Sequence, residues 1–300
     1  MVHFLPSAVG GNEKVFDQGS FIGAGGPATN AAITFAALGG EAYLVSRIGN
    51  HPVTQLIRAE LEAYGVRHLD LEASGSEPGS SGLDKSAGEI RPAVSSIFVN
   101  LENGDRSVAT SRGVREDSAG ARDPQELDGF PPSFDVLLVD GHEMEAALTI
   151  VNHAAGLGAR VVLDGGSWKP GTEELLPRVD WAVVSERFRP LNADITASDD
   201  VLRYLVSSGA RASAITRGER SILYRLQDES SEQAGSSWGN LEVPSVKAMD
   251  TLAAGDIFHG ALVYAAGALD LPFVEALGWA SRIAATSCEH LGPRAWISRR

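Results

Sequence analysis

The sequence predicts an α/β fold, with a mostly parallel central sheet flanked by helices in three layers and a small β-sheet attached. Two observations carry this. Short apolar runs alternate with amphipathic stretches of helical period, the pattern of parallel strands covered by helices. Two further segments break that rhythm and read as exposed strands, which predicts a small sheet projecting from the main body.

Taken in order, "KVFDQGSFI" (Lys14–Ile22) alternates apolar and polar residues, as a half-exposed strand does. "ATNAAITFAALGG" is helical and closes on Gly39-Gly40, a C-terminal stop. "AYLVSRIG" (Ala42–Gly49) reads as a buried strand, and "VTQLIRAELEAYGV" as a helix with Leu56, Ile57, Leu61 and Tyr64 on one face. "ASGSEPGSSGLDKSAGE" is Gly/Ser-rich and polar, the composition of a flexible loop. "VSSIFVNLENGDRSVATS" (Val94–Ser111) reads as two strands around Asn103-Gly104, a dipeptide that favours the tight hairpin turn. "FDVLLVDG" (Phe134–Gly141), "ARVVLDGG" (Ala159–Gly166), "DWAVVSE" (Asp180–Glu186) and "ASAITRG" (Ala212–Gly218) are further strands, most of them preceded by a helix-like segment such as "MEAALTIVNHAAGLG". "LQDESSEQAGSSWGN" reads as a mobile tip, and from Ile257 the apolar spacing is that of a buried helix. Residues 1–300 thus form one domain without internal repeats, and the projecting strands fall within 12–24 and 92–112.

Composition excludes several classes of function. A net charge of −14 argues against general binding to nucleic acid or an anionic membrane surface. The single cysteine, Cys288, excludes an internal disulfide, fits a reducing compartment and lies in a stretch that reads as a buried helix, as packing rather than as a nucleophile. "MVHFLPSAVGG" has no basic region and too short an apolar run for a signal peptide, and no apolar stretch reaches spanning length, so a cytoplasmic protein is expected. The seven histidines show no metal-ligand spacing, which argues against a protein-bound zinc.

The chemistry concentrates in two stretches. In "DTLAAGDIFHGALVYAAGA", Asp250 and Asp256 bracket small residues just where a helix begins. The first N–H groups of a helix lack internal partners and carry partial positive charge, so Ala253, Ala254 and Gly255 offer backbone to an anion, phosphate above all. Asp256, in the first turn, is held ionised by the dipole, by about 0.3–1 kcal/mol, and suits a base that accepts a proton from an attacking hydroxyl. The plainer alternative is that Asp250 caps the helix and the small residues make a tight turn.

In "GAGGPATNAA", Gly25 and Gly26 permit close approach to the backbone, Pro27 opens a helix, and Asn30 lies on its first turn. The string also fits G-x-G-x-x-A, a dinucleotide fingerprint that would make the chain a nucleotide-dependent oxidoreductase. Against that, the preceding segment alternates instead of being fully buried, and Arg47 stands where the next strand would end in an acid. Asp140, His142 and Asp164 follow strands on the usual ligand side of an open sheet, with a solvated loop as the other reading, while Arg106 beside the hairpin turn suits an edge-strand charge, with contact to an anionic substrate as the alternative.

Together, "GGPATNAAITFAALG" early and "DTLAAGDIFHGAL" late resemble the two-part signature of the ribokinase-like, or PfkB, carbohydrate kinases, and "ITRGERSILYR" is similar to that family's strand and turn near the nucleotide. The resemblance covers most of the chain and implies an ATP-dependent kinase of a sugar or sugar-like alcohol. It implies Asp256 as general base, the backbone of Ala253, Ala254 and Gly255 as the anion hole, Gly25, Gly26 and Asn30 on the sugar hydroxyls, with Asp140 and His142 as candidates beside them. Thr216, Gly218, Asp250 and Thr251 would line the nucleotide, and magnesium would arrive with ATP, with Glu186 near it; a monovalent cation is a further family association. The projecting sheet would be the lid over the sugar and the contact of a homodimer.

Two departures stand out. Ala253 occupies a position usually held by glycine, and Val183 stands where an asparagine is common ahead of Glu186. Relatives also open with a sheet strand ending in a sugar-binding aspartate, and this sequence is expected to begin just after it. That departure favours a second reading, a sugar- or nucleotide-binding protein of the same fold without turnover.

Overall fold

The computed structural model describes residues 1–7, 12, 14–72, 91–102, 106–111, 113, 123–191, 195, 197–227 and 236–297. In chain order the elements are β1 (Val2–Leu5), β2 (Gly19–Phe21), α1 (Pro27–Ala37), β3 (Ala42–Ser46), α2 (Thr54–Ala63), β4 (Val66–Asp70), β5 (Val94–Asn100) and β6 (Arg106–Ser111). There follow β7 (Val136–Val139), α3 (Met144–Leu157), β8 (Arg160–Gly165), α4 (Thr172–Leu175), β9 (Trp181–Ser185), α5 (Ser198–Ser207), β10 (Ala212–Arg217), β11 (Arg220–Gln227), β12 (Ser236–Leu241), α6 (Ala254–Gly267) and α7 (Phe273–Cys288).

The main sheet has six strands in the order β12-β11-β10-β9-β8-β7, parallel from β7 to β10 and antiparallel from β10 to β12. A separate parallel pair joins β3 and β4. Strand β8 reads Arg-Val-Val-Leu-Asp-Gly and is buried almost throughout because both of its faces are covered. Val162 packs with Phe258, Ala261 and Leu277 of α6 and α7, whereas Val161 and Leu163 pack with Val151 and Leu205 of α3 and α5. This is the three-layer α/β arrangement that the alternating pattern predicts.

The small sheet is four-stranded, β2-β1-β5-β6. Here the sequence reading needs correction. Within Lys14–Ile22 only Gly19–Phe21 is a strand, and the centre of the sheet is β1, which pairs antiparallel with β2 and parallel with β5. Four apolar residues at the chain start carry no period of their own. The hairpin pairing of β5 with β6 is present, while its Asn103-Gly104 tip lies outside the described residues, as does 73–90. In the segment read as a mobile tip, 228–235 lie outside the described residues, but Ser236–Leu241 form strand β12. On α2, Leu61 is buried and Leu56 is 57% exposed, so Leu56 does not belong to the buried face.

Helices α1 and α6 cross in close contact at Gly260. A Cβ there would lie 2.4 Å from the Ala31 carbonyl oxygen and 2.7 Å from Thr34 Cβ, so only glycine fits without displacing a backbone. Gly260→Ala is therefore expected to destabilise the protein by about 1–3 kcal/mol, as overpacking does. Gly156→Ala in α3, where a Cβ meets nothing within 4 Å, should leave stability equal or higher by about 0.5–1 kcal/mol. Urea denaturation of both variants checks the pair.

Candidate active site

The late motif folds into a tight turn leading into α6. Asp250 is buried and accepts hydrogen bonds from Leu252 N–H (2.9 Å) and Gly292 N–H (2.9 Å), so its carboxylate ties the turn to the loop after α7. Thr251 is exposed beside it. Ala253 is the N-cap, at φ +61° and ψ +10°, a left-handed conformation that an L residue adopts at a cost. The helix bond from Ile257 N–H to the Ala253 carbonyl (2.8 Å) fixes it. Ala254 N–H makes a long bond to the Thr251 carbonyl (3.3 Å), which leaves the N–H groups of Gly255 and Asp256 as the first of the helix without a backbone acceptor among the described residues. Gly255 is exposed, and nothing lies within 4 Å of where its Cβ would be. An anion can approach that end of the helix closely.

The early motif meets this turn through the α1–α6 crossing. Gly26 has φ +103°, which only glycine adopts freely, and it precedes Pro27 at the start of α1. Neither Gly25 nor Gly26 has an atom within 4 Å of its Cβ position, so both face open space. Asn30 is buried and donates from Nδ2 to Asp256 Oδ2 (2.6 Å). Its Oδ1 accepts from Arg294 Nη2 (2.8 Å), and that same nitrogen donates to the Ala24 carbonyl (3.1 Å). Arg294 Nε bonds Glu60 Oε1 (3.1 Å), whose other oxygen accepts from Ala24 N–H (2.5 Å). Glu60, Arg294, Asn30 and Asp256 thus form one chain of polar contacts joining α2, the C-terminal loop, α1 and α6. Sequence reading found Asn30 and Asp256 but not Arg294 or Glu60.

Burial raises the pKa of Asp256 above the ordinary aspartate range, opposed by the Asn30 hydrogen bond and by His259 and Arg294, and assisted by Asp140. Burial thus acts against the modest preference for the ionised form that the helix dipole supplies. Asp164, at the end of β8, is buried and its pKa is pushed up to about 6, chiefly by burial, with His259 opposing and Asp256 and Asp140 adding. His259 stands between these groups, with Nδ1 2.8 Å from the Gly255 carbonyl and 3.4 Å from Asp164 Oδ2, and Nε2 3.1 Å from the Val183 carbonyl. Asp140 accepts from Ala28 N–H (3.2 Å) at the N-terminus of α1 and from His142 N–H (2.9 Å), while the His142 side chain is exposed.

The remaining candidates sit at the ends of β9 and β10. Thr216 donates from Oγ1 to the Val184 carbonyl (3.4 Å), and Gly218 has φ +66° in the hairpin turn between β10 and β11. Glu186 is half-buried and paired with Arg220. Arg106 lies on β6, which is exposed along its whole length. The dinucleotide reading fails on geometry: the segment leading to Gly25 is β2, an exposed antiparallel strand of the small sheet, not a buried parallel strand opening into a helix.

A family model, the pfkB family carbohydrate kinases, matches residues 21–299. The chain belongs to that family. A ribokinase from Staphylococcus aureus (strain COL) is 26% identical over 250 residues, covering 80% of this chain and 73% of that protein. Among solved structures, a ribokinase from Thermotoga maritima superposes with a TM-score of 0.70 at 19% identity, covering 98% of this chain and 91% of the other. A nucleoside kinase from Burkholderia thailandensis, solved with inosine, superposes at 0.62 with 18% identity, covering 99% and 90%. The fold is therefore ribokinase-like, and the family is one of kinases.

Two outcomes follow from this geometry. Ala253→Gly should stabilise the protein by about 1 kcal/mol or less, the left-handed strain being relieved but partly offset by backbone entropy. Arg294→Ala should cost about 3–5 kcal/mol, because Glu60 and Asn30 lose a buried partner. Thermal and chemical denaturation measure both.

Proposed function

We propose that this kinase transfers the γ-phosphoryl group of ATP to a hydroxyl of a sugar or sugar-like alcohol. The observation that carries the reading is the Asp256 carboxylate, oriented by Asn30 at 2.6 Å, in the first turn of a helix whose leading N–H groups are open. The acceptor oxygen bonds to the γ-phosphorus, the bond from phosphorus to the ADP oxygen breaks, and the hydroxyl proton passes to Asp256. A raised proton affinity makes Asp256 a better base for an alcohol than an ordinary surface aspartate. The backbone of Ala253, Ala254 and Gly255 faces the charge that develops on the phosphoryl oxygens. Gly25, Gly26, Asn30, Asp140 and His142 would take the acceptor's hydroxyls, and Thr216, Gly218 and Thr251 the nucleotide, with Asp250 holding the turn between them.

Magnesium neutralises phosphate charge in such transfers. The ion would be carried in by the nucleotide phosphates. Glu186 would act on it only after releasing Arg220. The acceptor side is lined by Asp140, Asp164 and Asp256, a field that favours a neutral polyol or nucleoside over a sugar acid.

The four-stranded sheet would close over the acceptor, and its exposed Phe98 and Val108, with Ile22 just after β2, suit a homodimer contact. A single thiol, raised in pKa by burial at the end of α7, fits the cytoplasm.

Turnover is measured as ADP release from Mg-ATP across neutral sugars, sugar acids and nucleosides. Asp256→Asn should lower kcat by about 10²–10⁴-fold with ATP binding retained. Because the base must be ionised and its pKa is raised, kcat/KM should fall on acidification at a pH above the ordinary aspartate value of about 3.9. Full activity in the Asn variant, or ATP bound with no turnover on any acceptor, would overturn the reading.

A further inference from the structure

His259 lies in α6, one turn after Gly255, and is only 4% exposed. Each of its ring nitrogens faces a backbone carbonyl: Nδ1 stands 2.8 Å from the Gly255 oxygen, and Nε2 3.1 Å from the Val183 oxygen of β9. A carbonyl oxygen only accepts, and a neutral imidazole has one N–H and one lone pair. In either neutral tautomer, one nitrogen would turn its lone pair on a buried carbonyl oxygen. Both contacts are satisfied together only when both nitrogens carry protons, as in an imidazolium.

The surroundings supply the counter-charge. Asp164 Oδ2, at the end of β8, lies 3.4 Å from Nδ1 and is itself buried. The other charged groups at this end of the sheet are Asp140 after β7 and Asp256 in α6, with Lys169 after β8 and Arg294 in the C-terminal loop. Arg294 is shared with Glu60. His259 lowers the proton affinity of both Asp164 and Asp256, and at Asp164 it does so more than Lys169. A buried cation with a buried carboxylate and two carbonyls around it is paired and hydrogen-bonded, the condition under which such a charge is tolerated.

The Gly255 contact reaches the anion site directly. The carbonyl that His259 holds belongs to the same peptide group as the Asp256 N–H, one of the two open N–H groups at the start of α6. A charged donor on the oxygen of an amide draws electron density from its nitrogen, so the N–H at the other end becomes a stronger donor. The second contact, to Val183, anchors the ring on β9 and fixes the charge behind that peptide.

We propose that His259 is a buried imidazolium that acts as a positioning residue for phosphoryl transfer: paired with Asp164, it polarises the Gly255–Asp256 peptide toward the charge that develops on the transferring group. The role rests on the reaction proposed above. It acts through the backbone, so its effect falls on the transition state, where that charge is greatest, more than on ground-state binding.

Nitrogen-15 NMR of the histidine-labelled full chain at about pH 7.5 reads the ring, and both His259 nitrogens should carry a proton. The kinetic arm uses His259→Gln, which keeps an N–H donor without the charge. It should lower kcat by about tenfold or more, with KM for ATP and for the acceptor within about threefold of the unmodified chain. A bare ring nitrogen, or an undiminished kcat in the Gln variant, rules the proposal out. So does a variant that melts earlier but turns over normally while folded, the mark of a merely structural residue. The NMR arm needs no substitution, so a Gln variant that does not fold still leaves the imidazolium open to refutation. No turnover in the unmodified chain sinks the reaction and the role that rests on it, whereas a bare ring nitrogen with turnover intact sinks the imidazolium alone.

Discussion

The close crossing of α1 and α6 is the constraint on which the site depends. Two helices approach to backbone contact only where one of them lacks a side chain, and Gly260 supplies that gap against Ala31 and Thr34. Asn30 lies one residue before Ala31 and Asp256 one turn before Gly260, so the contact that packs the helices also sets the 2.6 Å bond between the two side chains. Thr34 reinforces this by donating its hydroxyl to the Asn30 carbonyl at 2.8 Å. Arg294 closes the arrangement from outside, reaching Asn30, Ala24 and Glu60 with one planar guanidinium, which lysine's single ammonium does not reproduce. Precision at the candidate base comes from packing first and polar contacts second.

Electrostatically the site holds two opposed demands. An anion is favoured at the start of α6, yet Asp140, Asp164 and Asp256 surround the same end of the sheet. Separation in function resolves this. The helix end offers backbone N–H groups, whereas the Asp256 carboxylate turns toward Asn30 of α1 and Asp164 ends β8, the side on which the proposed reaction would seat a neutral hydroxyl. Crowding three acids in a region of low solvation raises the proton affinity of the two that are most buried. For Asp164, whose pKa of about 6 exceeds its unfolded value of about 3.8, the stabilisation of the folded state is full in acid and is lost as pH rises through about 6. The fold carries that cost at neutral pH, a pattern expected where a buried acid serves a site and not the stability of the chain.

Much of this was legible in the sequence. Strands β8 and β9 are built on apolar runs with a helical segment before them, and the small residues around Asp256 and Gly26 carry backbone requirements that survive without any tertiary information. What was not legible depends on distance along the chain. The Arg294–Glu60 contact spans 234 residues, and neither residue sits in a pattern that marks it. Asp250 looked like a nucleotide ligand or a helix cap, but both of its oxygens hold backbone N–H groups, one from a loop 42 residues later. Leu56 has the period of a buried residue and faces solvent, because α2 packs through Leu61. Strand β1 is too short to show alternation, and it becomes a strand only because β2 and β5 are there to pair with it.

The small sheet and the anion site are linked by a single side chain. Leu252 packs among Val2, Phe4 and Val99 on the inner face of that sheet, while its own N–H is held by Asp250. Its neighbour Ala253 is the left-handed residue that sets the first turn of α6. Any shift of the sheet that draws Leu252 with it acts on a backbone already in a narrow energy well, since a left-handed alanine has few alternative conformations nearby. The first turn of α6 therefore has its geometry supported from two directions: by Asp250 and the Gly292 loop, and by the apolar face of the four-stranded sheet. In the proposed reaction, closure over an acceptor and alignment of the backbone at the start of α6 would be one mechanical event.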